Sequence, residues 1–151
     1  MNTEGSNRER IIEIFRRIEE RDPHRPNPAP VFELCQPDIQ FYCPPLLPYG
    51  MGNGVNTHSV TWEEVWNPLQ PTLTERRMDP RVVAEGDNEV VVLWQQRGLS
   101  PSGERYEGEV LGLYGFREGK LARAQMFYFD PERVAAFLRR ASDRLHLNGA
   151  N

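Results

Sequence analysis

Three side chains of this sequence could act as a general acid or base. Glu109 lies in a run of small and apolar residues, where it either faces solvent near a sheet edge or is buried, and burial would raise its pKa. His58 follows a glycine-rich loop, and an imidazole titrates near neutral pH unless it is simply a solvated loop residue. Asp130 precedes Pro131 and serves either as a base or as the N-cap of a helix. Glu109, Asp130 and His58 are therefore the candidate catalytic residues.

The two cysteines offer a second type of chemistry. A thiol becomes a nucleophile where a base or a helix N-terminus lowers its pKa, and no histidine is adjacent to Cys43, although His58 could approach it through the loop. We interpret Cys43 as a wall residue of a pocket and Cys35 as a core residue of a helix. The three histidines have no metal-ligand spacing, and the chain has no phosphate-binding glycine motif, so neither a metal nor another cofactor is predicted.

The elements that position these side chains follow from apolar periodicity, turn residues and capping signals. Ser6 with Glu9 and Thr61 with Glu64 have the spacing of capping boxes and predict two helix starts. Together with the apolar periodicity these signals predict a helix over about 6–21, a short helix over 31–35, a strand over 39–43, a helix from 61 that Pro68 ends, an extended segment over 73–78, strands over 81–85 and 90–97, and a last helix from 131.

The longest predicted structure is a β-hairpin over 106–130. Its turn is at 117–120, where Gly119 supplies a positive φ. In the first strand one face carries Val110, Gly112, Tyr114 and Phe116, and the other carries Leu111, Leu113 and Gly115, with Glu109 at its edge. Because both faces are apolar in the middle, we expect both to be covered, one by helices around a pocket and the other by more sheet or a second subunit. If a second subunit covers that face, the protein is a homodimer, and this is what we predict.

Composition excludes several classes of protein. The chain has 151 residues, enough for a single domain over 1–151, and segments 1–5 and 147–151 are predicted to be disordered tails. A net charge of -4 gives no basic surface for nucleic acid. No apolar run approaches the length of about 20 residues that a membrane helix needs. The polar N-terminus and the two cysteines, too few for a disulfide framework, predict a cytoplasmic protein.

The hairpin also carries a family resemblance. The segment Phe116–Leu121, followed by Tyr128–Asp130 before a helix, resembles the C-terminal half of the SnoaL-like polyketide cyclases, and Pro48–Gly50 matches a loop of the same family. That family belongs to the NTF2-like, ketosteroid-isomerase-like superfamily. The resemblance implies an α+β fold with a cone-shaped, curved, mostly antiparallel sheet and three to four helices enclosing a pocket.

The ketosteroid isomerases of this superfamily use an aspartate base and an oxyanion hole of Tyr and Asp. By resemblance, Cys43 stands at the position of the base, Gly112 at the position of the oxyanion Asp, and Ile14 at the position of the oxyanion Tyr. None of these residues can perform those roles. We therefore expect no steroid-isomerase mechanism.

The implied cavity has a predicted set of wall residues. They are aromatic or carry hydroxyl, thiol or amide groups, and they are Tyr42, Cys43, Trp62, Trp94, Gln96, Tyr114 and Tyr128. Such a wall suits a small, uncharged, mostly apolar or aromatic molecule. The alternative is that these residues only fill the core, which the helical spacing of Trp62 and Trp66 favours for those two.

The resemblance implies a function in natural product biosynthesis. The first hypothesis is a cofactor-independent cyclase or isomerase that acts on a polyketide-type or related apolar substrate by acid/base catalysis. The second is a non-catalytic protein that binds a small ligand on the same fold. The third is an epoxide hydrolase or epoxide-opening cyclase, which would need a pair of carboxylates with Arg97 or Arg123 between them.

Overall fold

The computed structural model describes the backbone of residues 5–25, 27–49, 51–53 and 58–149, and their side chains apart from those of 51–53, 58–61 and 143–149. These ranges contain five α-helices and six strands. In chain order they are α1 (Asn7–Glu19), α2 (Ala29–Phe32), β1 (Cys35–Tyr42), β2 (Met51–Asn53), α3 (His58–Trp66), α4 (Leu73–Arg76), β3 (Arg81–Glu85), β4 (Glu89–Leu99), β5 (Arg105–Arg117), β6 (Lys120–Tyr128) and α5 (Pro131–Gly149). A 3-10 turn, Asn67–Leu69, continues α3.

All six strands form one sheet in the order β2-β1-β6-β5-β4-β3. Only the pairing of β1 with β6 is parallel. Register shifts occur within three of the pairings, one of them between Gly115 and Phe116, and such bulges bend strands. The predicted α+β fold with a curved, mostly antiparallel sheet is confirmed.

The hairpin of β5 and β6 is the centre of the sheet, as the sequence predicts. Glu118 and Gly119 have φ values of 54° and 79°, and positive φ at both central turn positions matches the right-handed twist of the two strands. Val110, Gly112, Tyr114 and Phe116 are all buried on the inner face, and Leu111 and Leu113 on the outer face are half-buried. Within the described part of the chain, the helices cover only the inner face: α1 and α4 pack on β4, and α5 packs on β5.

Helix capping explains where the structure agrees with the predicted boundaries. The Ser6 hydroxyl accepts a hydrogen bond from the Glu9 backbone N–H at 3.2 Å and starts α1, as predicted. Asp130 caps α5 through the backbone N–H of Arg133, at 3.0 Å. The backbone of α5 continues to Gly149, beyond the start of the predicted tail, whereas residues 1–4, 150 and 151 lie outside the described part.

Four local predictions were wrong. Residues 73–78 were expected to be extended, but Thr72 and Glu75 form a reciprocal capping box that starts α4. Helix α3 starts at His58 rather than at Thr61. Cys35 is buried at the first position of β1, where it pairs with Leu121, and is not part of a helix. The described helices number five rather than three to four, because α4 adds a single turn.

Candidate functional site

A cavity of about 100 Å³ lies between α1, α2, α3 and the inner face of the sheet. The sheet and the middle of α1 form its fully buried walls, with Ile14, Phe15, Trp94 and Tyr114 among them. Its remaining lining includes half-buried residues from the end of α1, from α2 and from α3, namely Ile18, Val31, Phe32, Trp62 and Glu63. The cavity therefore opens toward α2 and α3. Its lining is almost entirely apolar or aromatic, which suits an apolar ligand.

The strand register sets the order of the aromatic residues on the sheet wall. Trp94 is opposite Val110, which is in turn opposite Tyr128, and Tyr114 is opposite Ala124. The Tyr114 ring folds back over the neighbouring inward position, Gly112. A Cβ atom there would come within 2.3 Å of the Tyr114 hydroxyl oxygen. Glycine is thus required at 112 for Tyr114 to occupy the cavity wall.

A chain of buried hydrogen bonds lies behind the wall. The Trp66 Nε1–H donates to the Tyr49 hydroxyl at 3.2 Å, which is 2.7 Å from the Tyr128 hydroxyl, and Tyr128 donates to Gln96 Oε1 at 3.3 Å. Burial raises the pKa of both tyrosines, so they are neutral hydrogen-bonding groups at physiological pH. Gln96 is 1% exposed, and its Nε2 has no hydrogen-bond partner within the described part of the chain.

Two other polar groups of the wall have a different environment. The Trp94 Nε1–H is buried and makes no hydrogen bond of ordinary geometry with the described residues. Burial raises the pKa of the Tyr114 hydroxyl, and the adjoining Trp94 N–H opposes that rise. Phe15 from α1 packs edge-on against both rings, with centroid distances of 5.9 Å to Trp94 and 5.8 Å to Tyr114. Phe15 thus packs against both the Trp94 ring and the Tyr114 ring on the cavity wall.

Glu63 of α3 is the only carboxylate among the described residues that line the cavity. Its pKa is raised by burial, an effect that the positive charge of Arg21 partly opposes. The Arg21 guanidinium stacks on the Trp62 ring, 5.1 Å from its centroid. It donates to Asn67 Oδ1 at 2.9 Å and also to the Gln70 side chain, so its position beside the cavity lining is fixed.

The structure does not bring the three predicted acid/base residues together in the cavity. Glu109 is exposed, opposite Gln95 on the outer face of the sheet. Asp130 is exposed and caps α5, so the capping alternative accounts for it. Neither lines the cavity. His58 begins α3, but its side chain is outside the described residues, and its role stays a prediction.

Four of the seven predicted wall residues line the cavity: Trp62, Trp94, Tyr114 and Tyr128. Gln96 lies behind them, bonded to Tyr128. Cys43 is buried, and burial raises its thiol pKa to about 12, which leaves no appreciable thiolate near neutral pH. Tyr42 does not line the cavity, because it alternates with the inward-facing Phe41 and instead lies under the Arg123 guanidinium, 4.8 Å from the ring centroid.

Sequence reasoning missed Glu63 and Arg21. A usable signal is the position of Glu63 three residues before Trp66, which places it on the apolar side of a helix. The capping-box interpretation of Thr61 and Glu64 instead treated this stretch as a helix start, where carboxylates are normally solvated.

Among the described residues, an arginine between two carboxylates, as expected of an epoxide hydrolase, is found only away from the cavity. Arg97 lies between Asp79, at 2.9 Å, and Glu107, at 2.7 Å. None of these three residues lines the cavity, and both carboxylates are exposed. The Arg123 guanidinium lies over the Tyr42 ring and donates a hydrogen bond to Gln125 Oε1 on the outer face.

Among the described residues, no group of His, Cys, Asp and Glu has an arrangement that could hold a metal ion. No described helix is both long enough and apolar enough to cross a bilayer. Both cysteines lie in the described part of the chain, and they are not joined in a disulfide.

No protein family model matches the sequence, and no curated protein matches it. Solved structures do match. TerC, co-crystallised with polyporic acid, is 19% identical over 87% of this chain and 95% of TerC, with a TM-score of 0.63. An NTF2-like protein of unknown function from Burkholderia pseudomallei K96243 is 18% identical over 89% of this chain and 95% of that chain, with a TM-score of 0.60.

A third structure is that of a protein from Jannaschia sp. CCS1 assigned as a SnoaL-like polyketide cyclase. It is 15% identical over 90% of this chain and 95% of that chain, with a TM-score of 0.60. Identities this low carry information on the fold alone. The predicted resemblance is confirmed at that level: the chain has the NTF2-like fold.

Proposed function

We propose that the protein is a cofactor-independent enzyme that isomerises or cyclises an apolar carbonyl compound by acid/base catalysis in the cavity. The observation that carries this proposal is the half-buried Glu63 carboxyl, which is set in an otherwise apolar lining and has a raised pKa. A carboxylate that is partly removed from water is a stronger base toward a bound carbon acid than a solvated carboxylate is.

In the proposed reaction, Glu63 takes a proton from a carbon atom next to the carbonyl group of the ligand. The electrons of the C–H bond form a C=C bond, and the carbonyl π electrons move to oxygen to give an enolate. Return of the proton to another carbon of the conjugated system completes an isomerisation. Attack of the enolate carbon on a second carbonyl of the same molecule closes a ring instead, and Glu63 then protonates the new alkoxide.

Arg21 is a positioning residue in this scheme. Its contacts with Asn67 and Gln70 hold its charge on the Trp62 ring, where it favours the ionised form of Glu63. Without that charge, burial alone would act on the carboxyl group, and Glu63 would be protonated over a wider range of pH.

The ligand class is supported by the lining and by the neighbours of the fold. Aromatic walls formed by Trp62, Trp94, Tyr114 and Tyr128 suit a flat or unsaturated molecule. TerC was crystallised with polyporic acid, and the Jannaschia protein is assigned as a polyketide cyclase. A polyketide-type substrate in natural product biosynthesis is in keeping with both.

The proposal is tested by proton exchange in a model ketone. Phenylacetone in D₂O should exchange its C–H protons faster with the protein than in buffer, as followed by NMR. Glu63→Gln should slow the catalysed exchange by about 10²-fold or more, the usual contribution of a general base. Glu64→Gln changes the adjacent, exposed carboxylate and should leave the rate unchanged.

Full exchange activity in Glu63→Gln would disprove the assignment of the base. Binding of the ketone without any exchange in the wild type would instead favour the second hypothesis, a protein that binds a small ligand without transforming it.

We also propose that the protein works as a homodimer through the outer face of the sheet. Val91, Leu93, Leu111 and Leu113 are half-buried there, and the Phe127 side chain is 48% exposed beside them. A second copy would cover this apolar area with an identical one.

A further inference from the structure

We propose that the Trp94 indole N–H and the Tyr114 hydroxyl form a donor site that binds one oxygen atom of the ligand, the carbonyl oxygen that becomes the enolate. This inference rests on the proposed function and assigns the second half of its site. It also defines the ligand further, as a molecule with an apolar body and a ketone-type oxygen.

The first argument is the state of the Trp94 N–H. Trp94 lines the cavity and is 3% exposed, yet its Nε1 has no hydrogen-bond partner within the described residues. A buried donor left unpaired costs free energy, and native proteins rarely leave one without a functional reason. An indole nitrogen is only a donor, so its missing partner must be an acceptor.

The second argument is the pairing of this donor with Tyr114. The Tyr114 hydroxyl lies over Gly112, which pairs with Val92, and Val92 is two residues before Trp94 on the same face of β4. Phe15 contacts both rings edge-on. The Tyr114 hydroxyl stays neutral near physiological pH because burial raises its pKa, so it keeps a proton that it can donate. Two donors held beside each other can share one oxygen atom, as in an oxyanion hole.

The third argument is that the neighbouring tyrosine is already engaged. Tyr128 also lines the cavity, but its hydroxyl donates to Gln96 and is 2.7 Å from that of Tyr49. Tyr128 is therefore already hydrogen-bonded, and the proposed donor site consists of Trp94 and Tyr114. Its surroundings are apolar, and hydrogen bonds to a developing negative charge are stronger there than in water.

The chemistry is that of charge stabilisation without covalent change in the protein. When a base removes a C–H proton, the carbonyl π electrons move to oxygen, and the two donors shorten their contacts to that oxygen. Both keep their own protons. The donors thus lower the energy of the enolate relative to that of the ketone, which is the condition for faster proton removal.

The test compares a ketone with a hydrocarbon of the same shape, 1-indanone with indane. The protein has three tryptophans, so labelling with ¹⁵N-tryptophan gives few indole N–H resonances. In the labelled wild type, 1-indanone should shift the indole N–H resonance of Trp94, and indane should not. Trp94→Phe assigns that resonance by removing it. In calorimetry, Tyr114→Phe should lower the ratio of 1-indanone affinity to indane affinity by about 10-fold, the effect of one lost hydrogen bond.

Tyr106→Phe is the matched control. Tyr106 is also a buried β5 tyrosine folded over a glycine, since a Cβ atom at Gly108 would lie 2.3 Å from its hydroxyl oxygen, but it does not line the cavity. Removal of the Tyr106 hydroxyl should leave the ratio of 1-indanone affinity to indane affinity unchanged. An unchanged ratio in Tyr114→Phe, or a Trp94 resonance that does not move at the solubility limit of the ketone, overturns the donor site.

Glu63→Gln separates this inference from the proposed function. If the donor site is correct, Glu63→Gln keeps the affinity ratio of the wild type and its sensitivity to Tyr114→Phe, whether or not Glu63 is the base. If the ratio falls in Glu63→Gln but not in Tyr114→Phe, the ketone oxygen is recognised near Glu63, and the donor site is wrong.

Discussion

At the scale of the residue, the charge state of Glu63 decides what the cavity can do. Burial and the Arg21 charge act on this carboxyl group in opposite directions, and burial prevails. A protonated Glu63 can donate a hydrogen bond but cannot take a proton from carbon. In the proposed mechanism the cavity therefore has no carboxylate base at low pH and has one above the raised pKa of Glu63.

The pH dependence of proton exchange follows from that balance. Because the pKa of Glu63 is raised, the catalysed rate should rise with pH as the carboxyl group ionises, and level off above its raised pKa. Arg21→Met removes the opposing charge, so the pKa should rise further and the midpoint of the profile should move to higher pH.

The midpoint is the useful measurement because it does not depend on how much of a variant is folded. Arg25→Met removes an exposed positive charge near Arg21 in sequence and should leave the midpoint in place. A midpoint that stays constant in Arg21→Met would contradict the coupling of Arg21 to Glu63.

At the scale of the element, β5 sets the shape of the cavity wall through its glycines. Gly112 and Gly115 are in the same strand but differ in what a Cβ atom would contact. At 112 it would come within 2.3 Å of the Tyr114 hydroxyl oxygen, whereas at 115 its nearest neighbour would be Arg123 Cβ at 3.6 Å. Only the first contact requires a change in the cavity wall.

This contrast predicts different outcomes for two alanine substitutions. Gly112→Ala must displace the buried Tyr114 ring and should destabilise the protein by about 1–3 kcal/mol, the usual cost of overpacking. Gly115→Ala should change stability by no more than about 0.5 kcal/mol. Urea denaturation measures both values, and equal stabilities for the two variants would contradict the close packing of Tyr114 on Gly112.

Much of this element structure can be predicted from the sequence, but the direction of its side chains cannot. Strand alternation correctly places Glu109 on the face of Leu111 and Tyr114 on the opposite face. Which face lines the cavity depends on where α1, α2 and α3 pack, and that is a tertiary property. Glu63 was missed for a related reason, since its orientation depends on the true start of α3 at His58.

At the scale of the whole molecule, the two faces of the sheet have different roles. The inner face and the helices enclose the cavity, and the half-buried outer face has no covering helix among the described residues. Leu93, Leu111 and Phe127 are aligned side by side on three neighbouring strands there. Exposed apolar area of this kind is a common feature of protein interfaces.

The proposed homodimer makes a prediction about one exposed side chain. At micromolar concentration the wild type should sediment as a dimer, because association removes the apolar centre of the outer face from water. Phe127→Lys places a charge in that centre on both copies and should weaken the dimer by at least about 10-fold. Leu73→Lys is the matched control, because Leu73 is 55% exposed on α4, away from the sheet face, and its variant should remain dimeric.

A monomeric wild type, or a Phe127→Lys variant that dimerises as tightly as the wild type, would place the interface elsewhere or exclude it. The cavity is formed by one chain, so the exchange rate per chain should stay the same in dimer and monomer.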